Sequence, residues 1–272
     1  MITKEKILDA NRRTHRVEAP VYDTIHGEIF NCYAQSVIRR LLKLGIDSLK
    51  PEYGSRTPRL TALDCASGTG NISEKLLALG CTVNAVDISH EMLSVLDSKL
   101  KSRYDGSYKI IHSDIDLFLD TTENIYDVIS FSSALHHLPD YVETFSRAIN
   151  KLRRPGVIFI IHEPLPQHLQ YASTFSDYLR KFDRIVWKYS GKVLRRKGMA
   201  EAISEEDADL RDFHAHRGGI NPEILSQTVQ AQGGKVIKLL MRSENMRHWW
   251  SAWLDNALDL RQDEFHMLIH LD

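Results

Sequence analysis

The sequence predicts an α/β fold: a seven-stranded, mostly parallel sheet with helices on both faces. Two observations carry this. Short apolar runs alternate with amphipathic stretches of about 10–15 residues, and the first of these runs ends in an acidic residue followed at once by a glycine-rich turn. The length, 272 residues, fits one large domain with elaborations better than two independent ones.

The elements follow in order. Residues 1–20 are polar and close at Pro20, so a short helix or loose arm is expected. In 28–49, Ile29, Tyr33, Val37, Ile38, Leu41 and Leu42 recur at helical spacing. KPEYGSRTP (50–58), with two prolines and a glycine, reads as a connection. RLTALDC (59–65) is the first strand, and Ile72, Leu76, Leu77 and Leu79 mark a helix that Gly80 ends. CTVNAVD (81–87) is the second strand; Ser89 is a plausible N-cap for a helix over 89–103. YKIIHSD (108–114) and YDVISFSS (126–133) are the third and fourth strands. A helix over 141–152, a turn RRPG and the strand VIFIIHE (157–163) follow.

After Pro164 the alternation lapses for about fifty residues. There, Phe175, Tyr178, Leu179, Phe182, Ile185, Val186 and Tyr189 fall on one helical face, and the basic KVLRRKG (192–198) precedes the acidic EAISEEDADLRD (201–212). Asn221-Pro222 starts a helix as N-cap and first residue, and Gly233-Gly234 ends it. KVIKLLM (235–241) and EFHMLIHL (264–271) are the last two strands. Between them a helix carries Trp249, Trp250 and Trp253, expected to pack core and lid. One domain results: an N-terminal helical cap (1–58), a core (59–164), a helical lid inserted after the fifth strand (165–219) and the rest of the sheet (220–272).

The formal net charge is -1, so no global field steers nucleic acid or an anionic membrane to this chain. Three scattered cysteines make no disulfide framework or C-x-x-C metal site. With no signal-like apolar run and no membrane span, a cytoplasmic protein is expected.

The chemistry concentrates in LDCASGTGNIS (63–73). A strand ends on an acidic residue and a glycine turn leads into a helix, whose free N–H groups suit an anionic group such as a carboxylate. Asp64 is placed to accept from an ammonium group. Asp87, at the end of the second strand, suits ribose hydroxyls, and Asp114, at the end of the third, suits an adenine amino group. Ile88, Met92 and Ile115 are placed to sandwich the ring. A glycine turn or an acidic strand end alone often has a purely structural role. Together, in order and at strand ends, they form a specific pattern.

On these residues the chain resembles the Rossmann-like class I methyltransferase family, in particular small-molecule enzymes of the ubiquinone and menaquinone methyltransferase type. The family's first motif is similar to D-x-G-x-G-x-G; Asp64, Gly68 and Gly70 match it, and Ala66 replaces its first glycine. The resemblance continues through VDIS (86–89), HSDI (112–115), YDVISFSSALHHLPD (126–140) and LRRPGVIFIIHEP (152–164). It covers roughly residues 60–164 and implies S-adenosylmethionine as cofactor. Asp64, Gly68 and Gly70 would then hold the methionine part, Asp87 the ribose, and Asp114 with Ile115 the adenine. Ser132 and His137 would lie near the reactive end. YDTIHGEIFNCY (22–33) resembles a cap helix in such enzymes, which implies Tyr22 at the cofactor carboxylate.

Three other readings are weaker. A nicotinamide-dependent oxidoreductase needs a third glycine where Ser73 stands. A catalytically inactive S-adenosylmethionine-binding module, regulatory or for assembly, keeps the same motif. A nucleic-acid methyltransferase would use Arg180, Lys181, Arg184, Lys188, Lys192, Arg195, Arg196 and Lys197, but this basic stretch reads better as a solvated helix face. The chain also has Ser132-Ser133-Ala134-Leu135 where base-methylating enzymes carry an Asn/Asp-Pro-Pro-aromatic motif. No metal is expected: His136-His137 and His162-Glu163 are adjacent pairs, and neighbours on an extended segment point to opposite sides.

Methyl transfer from a sulfonium mainly needs alignment and exclusion of water. Where the acceptor must lose a proton, His137 leads as general base, with His136 and Glu163 next. Cap and insertion are expected to roof the acceptor site, with His214, His216 and Arg217 of FHAHRGG lining it or hinging the lid. The expected partner is a small-molecule acceptor, anionic or carrier-bound forms and a homodimer staying open, with no nucleic acid and no membrane.

Overall fold

Val157, Ile158, Phe159, Ile160 and Ile161 are all fully buried, yet they serve two different cores. Ile158 and Ile160 join Phe131, Phe145 and Ile269 on one face; Val157, Phe159 and Ile161 join Ile38, Leu42 and Leu93 on the other. A strand covered on both faces reads as a continuous apolar run. The computed structural model that shows this describes residues 2–53, 59–189, 203–243 and 246–272.

The strands are β1 (Thr61–Cys65), β2 (Thr82–Asp87), β3 (Tyr108–His112), β4 (Tyr126–Ser132), β5 (Leu152–Pro164), a two-residue β6 (Tyr171–Ala172), β7 (Gly234–Arg242), β8 (Arg261–Gln262) and β9 (Glu264–Leu271). Seven form one sheet in the order β3-β2-β1-β4-β5-β9-β7. Adjacent strands from β3 to β5 pair in parallel, and β9 runs antiparallel between β5 and β7. The order reverses between β1 and β4, so the carboxyl ends of these strands frame the crevice where open α/β sheets bind ligands.

The N-terminal arm is a 15-residue helix, α1 (Lys4–Glu18), capped by Thr3. Two single turns follow, α2 (Tyr22–Ile25) and α3 (Gly27–Phe30), before α4 (Cys32–Tyr53). The expected helix over 28–49 thus starts later, because Asn31 interrupts it with an extended backbone and accepts from the Ala34 N–H. It also runs through residues 50–53 of the expected connection; 54–58 lie outside the described residues. Between strands come α5 (Asn71–Ala78), α6 (His90–Tyr104), α7 (Ile115–Thr121) and α8 (Tyr141–Ile149). Ser89 caps α6 as expected. RRPG is no separate turn. It lies within β5 as a bulge, since Tyr126 pairs with Leu152 but Val128 with Val157.

The insertion holds α9 (Thr174–Tyr189) and α10 (Glu205–Arg211); Lys192, Arg195, Arg196 and Lys197 lie outside the described residues. Its apolar face is not core. Phe175, Tyr178, Phe182 and Ile185 are more than half exposed, while Ser176, Leu179, Asp183 and Trp187 are buried. Asn221 caps α11 (Pro222–Ala231). On α12 (Trp249–Ala257), Trp249 and Trp253 are likewise exposed, and only Trp250 packs inward, against Leu179, Met246 and Ala252. The expected core packing holds for one tryptophan of three, because α12 buries Ser251, Ala252 and Asp255 instead. Among the described residues, no helix is long and apolar enough to cross a membrane.

Candidate active site

The turn after β1 is built on three left-handed residues: Ala66 at φ 52°, Gly68 at 51° and Gly70 at 84°. Asp87 holds it, its carboxylate accepting from the N–H groups of Gly68 and Ser89, each at 2.8 Å. Asp64, buried at the end of β1, accepts from Ser73 Oγ at 2.6 Å and Ser130 Oγ at 2.7 Å. Burial pushes its carboxyl up to about 6, against the pull of those two hydroxyls. Cap helix α2 is latched onto the turn through Asp23, which accepts from Thr69 Oγ1 at 2.5 Å and Lys99 Nζ at 2.7 Å.

Around this turn the structure collects nearly every residue singled out in the sequence for cofactor binding. Tyr22, Asp64, Ala66 and Gly68 line one cavity with Asp87, Met92, Ser132 and His137. Ile88, Asp114 and Ile115 line a second, which shares Ala66, Asp87 and His137 with the first. Asp114 also caps α7, accepting from the Asp116 N–H at 3.2 Å. Gly70 borders neither. A Cβ there would come within 2.7 Å of Leu96, so its part is the close approach of α5 to α6.

A third cavity, of about 310 Å³, opens beside the first two. His26, Glu28, Arg211 and Asp212 line it together with His136, His162 and Glu264, so its wall is polar and ionisable. Glu28 accepts from His26 Nδ1 at 2.9 Å, and Glu18 lies 3.9 Å from the Nε2. Burial disfavours charge on the His26 ring, but Glu18 and Glu28 outweigh it and raise the group to about 9. Arg211 forks onto Asp212 at 3.0 and 2.6 Å and reaches Glu18 at 2.8 Å. It holds the Asp212 carboxyl well below the usual carboxylate range, despite burial.

His137 borders all three cavities, and so does His15 of α1, which the sequence reading missed. The two rings meet edge to face at 5.4 Å. Nothing in the polar stretch 1–20 distinguishes His15; only the docking of α1 brings it to the site. His26, Glu28, Arg211 and Asp212 were missed as well, although they sit in the segments YDTIHGEIFNCY and EAISEEDADLRD already read as cap and insertion.

His136 and His137 do not point to opposite sides. They lie on a single 3-10 turn, Leu135–His137, with ring centroids 4.0 Å apart. Glu163 makes that turn. Its buried carboxylate accepts from the N–H groups of Ala134 (2.7 Å), Leu135 (2.9 Å) and His136 (3.2 Å), and from His136 Nδ1 (2.9 Å). Burial opposes charge on His136, but this carboxylate outweighs it and raises its pKa. Glu163 therefore faces away from the cavities and positions His136. His137 Nδ1 is 2.7 Å from the Arg211 carbonyl, which only accepts, so the neutral ring carries its lone pair on Nε2. Burial, then the neighbouring His136, holds His137 well below the usual histidine value.

His136, His137 and Asp212 bring one ligand atom each within 4.8 Å of the others, a grouping the extended-strand argument did not foresee. FHAHRGG behaves differently from expectation: of its residues only Ala215 lines the third cavity. The His214 N–H donates to the His136 carbonyl at 2.9 Å, while His216 and Arg217 pair with Asp209 outside. The segment braces the 3-10 turn.

Residues 63–161 match the family model described as a methyltransferase domain. The chain is 27% identical over 174 residues to a demethylmenaquinone methyltransferase of Oceanobacillus iheyensis, covering 62% of this chain and 73% of the relative. The chain is an S-adenosylmethionine-dependent methyltransferase. A ubiquinone biosynthesis O-methyltransferase of Burkholderia vietnamiensis is 33% identical to the enzyme over 96 residues, 35% of this chain and 40% of that one. In fold the enzyme is similar to the Burkholderia thailandensis 1,6-didemethyltoxoflavin-N1-methyltransferase solved with its substrate and S-adenosylhomocysteine. That match has a TM-score of 0.57 at 13% identity and spans 100% of this chain and 92% of that one. S-adenosylmethionine is the methyltransferase's cofactor.

Proposed function

We propose that the enzyme methylates a compact, polar acceptor held in the 310 Å³ cavity, and that His137 removes the acceptor's proton as the methyl group arrives. The observation that carries this is the position of His137: neutral, with its Nε2 lone pair uncommitted by the Nδ1 bond, where the cofactor cavities meet the third one. S-adenosylmethionine supplies a methyl group on a positively charged sulfur.

On the cofactor side, the turn at Ala66, Gly68 and Gly70 with Asp64 and Tyr22 serves the methionine moiety, and Asp87 the ribose. Asp114, Ile88, Met92 and Ile115 serve the adenine, and Ser132 stands beside the reactive end. The cap (1–58) and the insertion (165–219) form the roof: α1 and α2 contribute His15 and Tyr22, and the end of α10 with the residue after it contributes Arg211 and Asp212. Asp212 belongs to an ion pair with Arg211 rather than to a metal site with His136 and His137, because the guanidinium already occupies both of its oxygens and supplies the positive charge.

Calorimetric titration tests the cofactor reading. Saturable binding of S-adenosylmethionine and S-adenosylhomocysteine is expected, lost in Asp87→Ala; binding of NAD alone would sink it. For the base, His137→Gln is expected to keep cofactor affinity and lose about 10²- to 10⁴-fold in turnover. Unchanged turnover in that variant would remove His137 from the chemistry.

A further inference from the structure

Helix α9 turns two polar residues, Ser176 and Asp183, inward together with Leu179 and Trp187. Asp183 is completely buried and accepts from the Arg247 and His248 N–H groups at 3.0 and 3.2 Å, from His248 Nδ1 at 2.8 Å and from Ser251 Oγ at 2.5 Å. Ser176, also buried, accepts from Arg261 Nε at 3.1 Å. These bonds set the rotation of the helix. It cannot roll to hide its apolar side without stranding a buried carboxylate. That side presents Phe175 (53% exposed), Tyr178 (65%), Phe182 (56%) and Ile185 (53%) to solvent. Phe182 meets Trp250 at 6.0 Å, which joins the face to α12 with its exposed Trp249 and Trp253.

Beside this aromatic face runs a basic stripe. Arg180, Lys181, Arg184 and Lys188 project along one flank of α9, and its one exposed acid, Asp177, is paired with Arg261. Aromatic rings with an adjoining row of Lys and Arg are the composition of a helix that lies in a membrane interface, where rings enter the headgroup boundary and cations meet anionic lipid. A second copy fits less well, because self-contact through this face gathers like charges at its rim.

We propose that α9 and the exposed tryptophans of α12 dock this enzyme on an anionic phospholipid surface, with no helix among the described residues crossing it. The proposal is independent of which acceptor is methylated.

The test is flotation of the full chain with vesicles of phosphatidylcholine alone and of phosphatidylcholine with about 30% phosphatidylglycerol. Binding to the anionic vesicles is expected, at least about tenfold stronger than to the neutral ones and weakened by salt. Tyr178→Ser with Phe182→Ser, and separately Lys181→Glu with Arg184→Glu, are each expected to weaken it about tenfold or more, with calorimetric S-adenosylmethionine affinity unchanged. No binding to anionic vesicles, or full binding by both double variants, would overturn the proposal. So would a lipid-free dimer that Tyr178→Ser with Phe182→Ser dissolves.

Discussion

Ala66 stands where the resembling family has glycine, and its φ of 52° puts an alanine in the left-handed region. That conformation costs a non-glycine residue about 1–2 kcal/mol, partly offset because alanine has less freedom to lose on folding. Ala66→Gly is therefore expected to leave stability unchanged or raise it by up to about 1 kcal/mol. Gly70 is the opposite case, with φ 84° and Leu96 2.7 Å from any added Cβ. Gly70→Ala combines strain with overpacking and is expected to lose about 2–4 kcal/mol. Urea unfolding of the two variants checks both. Both positions were legible as motif positions. That Gly70 packs against a helix instead of bordering a cavity was not, because the sequence does not say how near Leu96 comes.

The 3-10 turn Leu135–His137 is held by one side chain from another strand. Glu163 satisfies three backbone N–H groups and one imidazole, so removing it leaves buried donors with nothing to bond. Glu163→Ala is expected to cost about 3–5 kcal/mol in urea unfolding. Glu163→Gln, which keeps one acceptor oxygen, is expected to lose less. If the two variants lost the same amount, the carboxylate would not be what organises the turn. Sequence reading placed Glu163 among the candidate bases, after His137. The actual role of Glu163 depends on which neighbouring loop folds over the end of β5. α9 teaches the same lesson: its periodicity identified the helix, but its inward side was chosen by partners for Asp183 that lie more than 60 residues away.

Across the whole molecule the buried histidines pull stability in opposite directions with pH. His26 is raised to about 9 in the folded chain, so the stability it adds is complete below about 6.5 and lost as pH climbs through about 9. A rise of that size corresponds to about 3 kcal/mol. His15 and His137 are lowered, chiefly by burial, so below about 6.5 the unfolded chain takes up protons that the folded chain refuses, and stability falls toward acid. Thermal denaturation from pH 5 to 10 is expected to show both limbs. His26→Gln should remove the histidine part of the alkaline loss and leave the acid limb in place. An unaltered alkaline limb in that variant would show that Glu18 and Glu28 do not hold a charged ring.

The chain's own pattern determined the α/β class, the seven large strands and the acidic strand ends at Asp64, Asp87 and Asp114. Those depend on local periodicity and on which residues can follow a strand into a helix. The tertiary structure alone decided that β9 enters between β5 and β7, that α1 brings His15 to the site, and that Arg211 and Asp212 complete the wall of the third cavity. It also decided which face of α9 meets solvent. These outcomes join residues far apart in sequence, and no local pattern records which distant partner a strand edge, an apolar face or a buried charge will find.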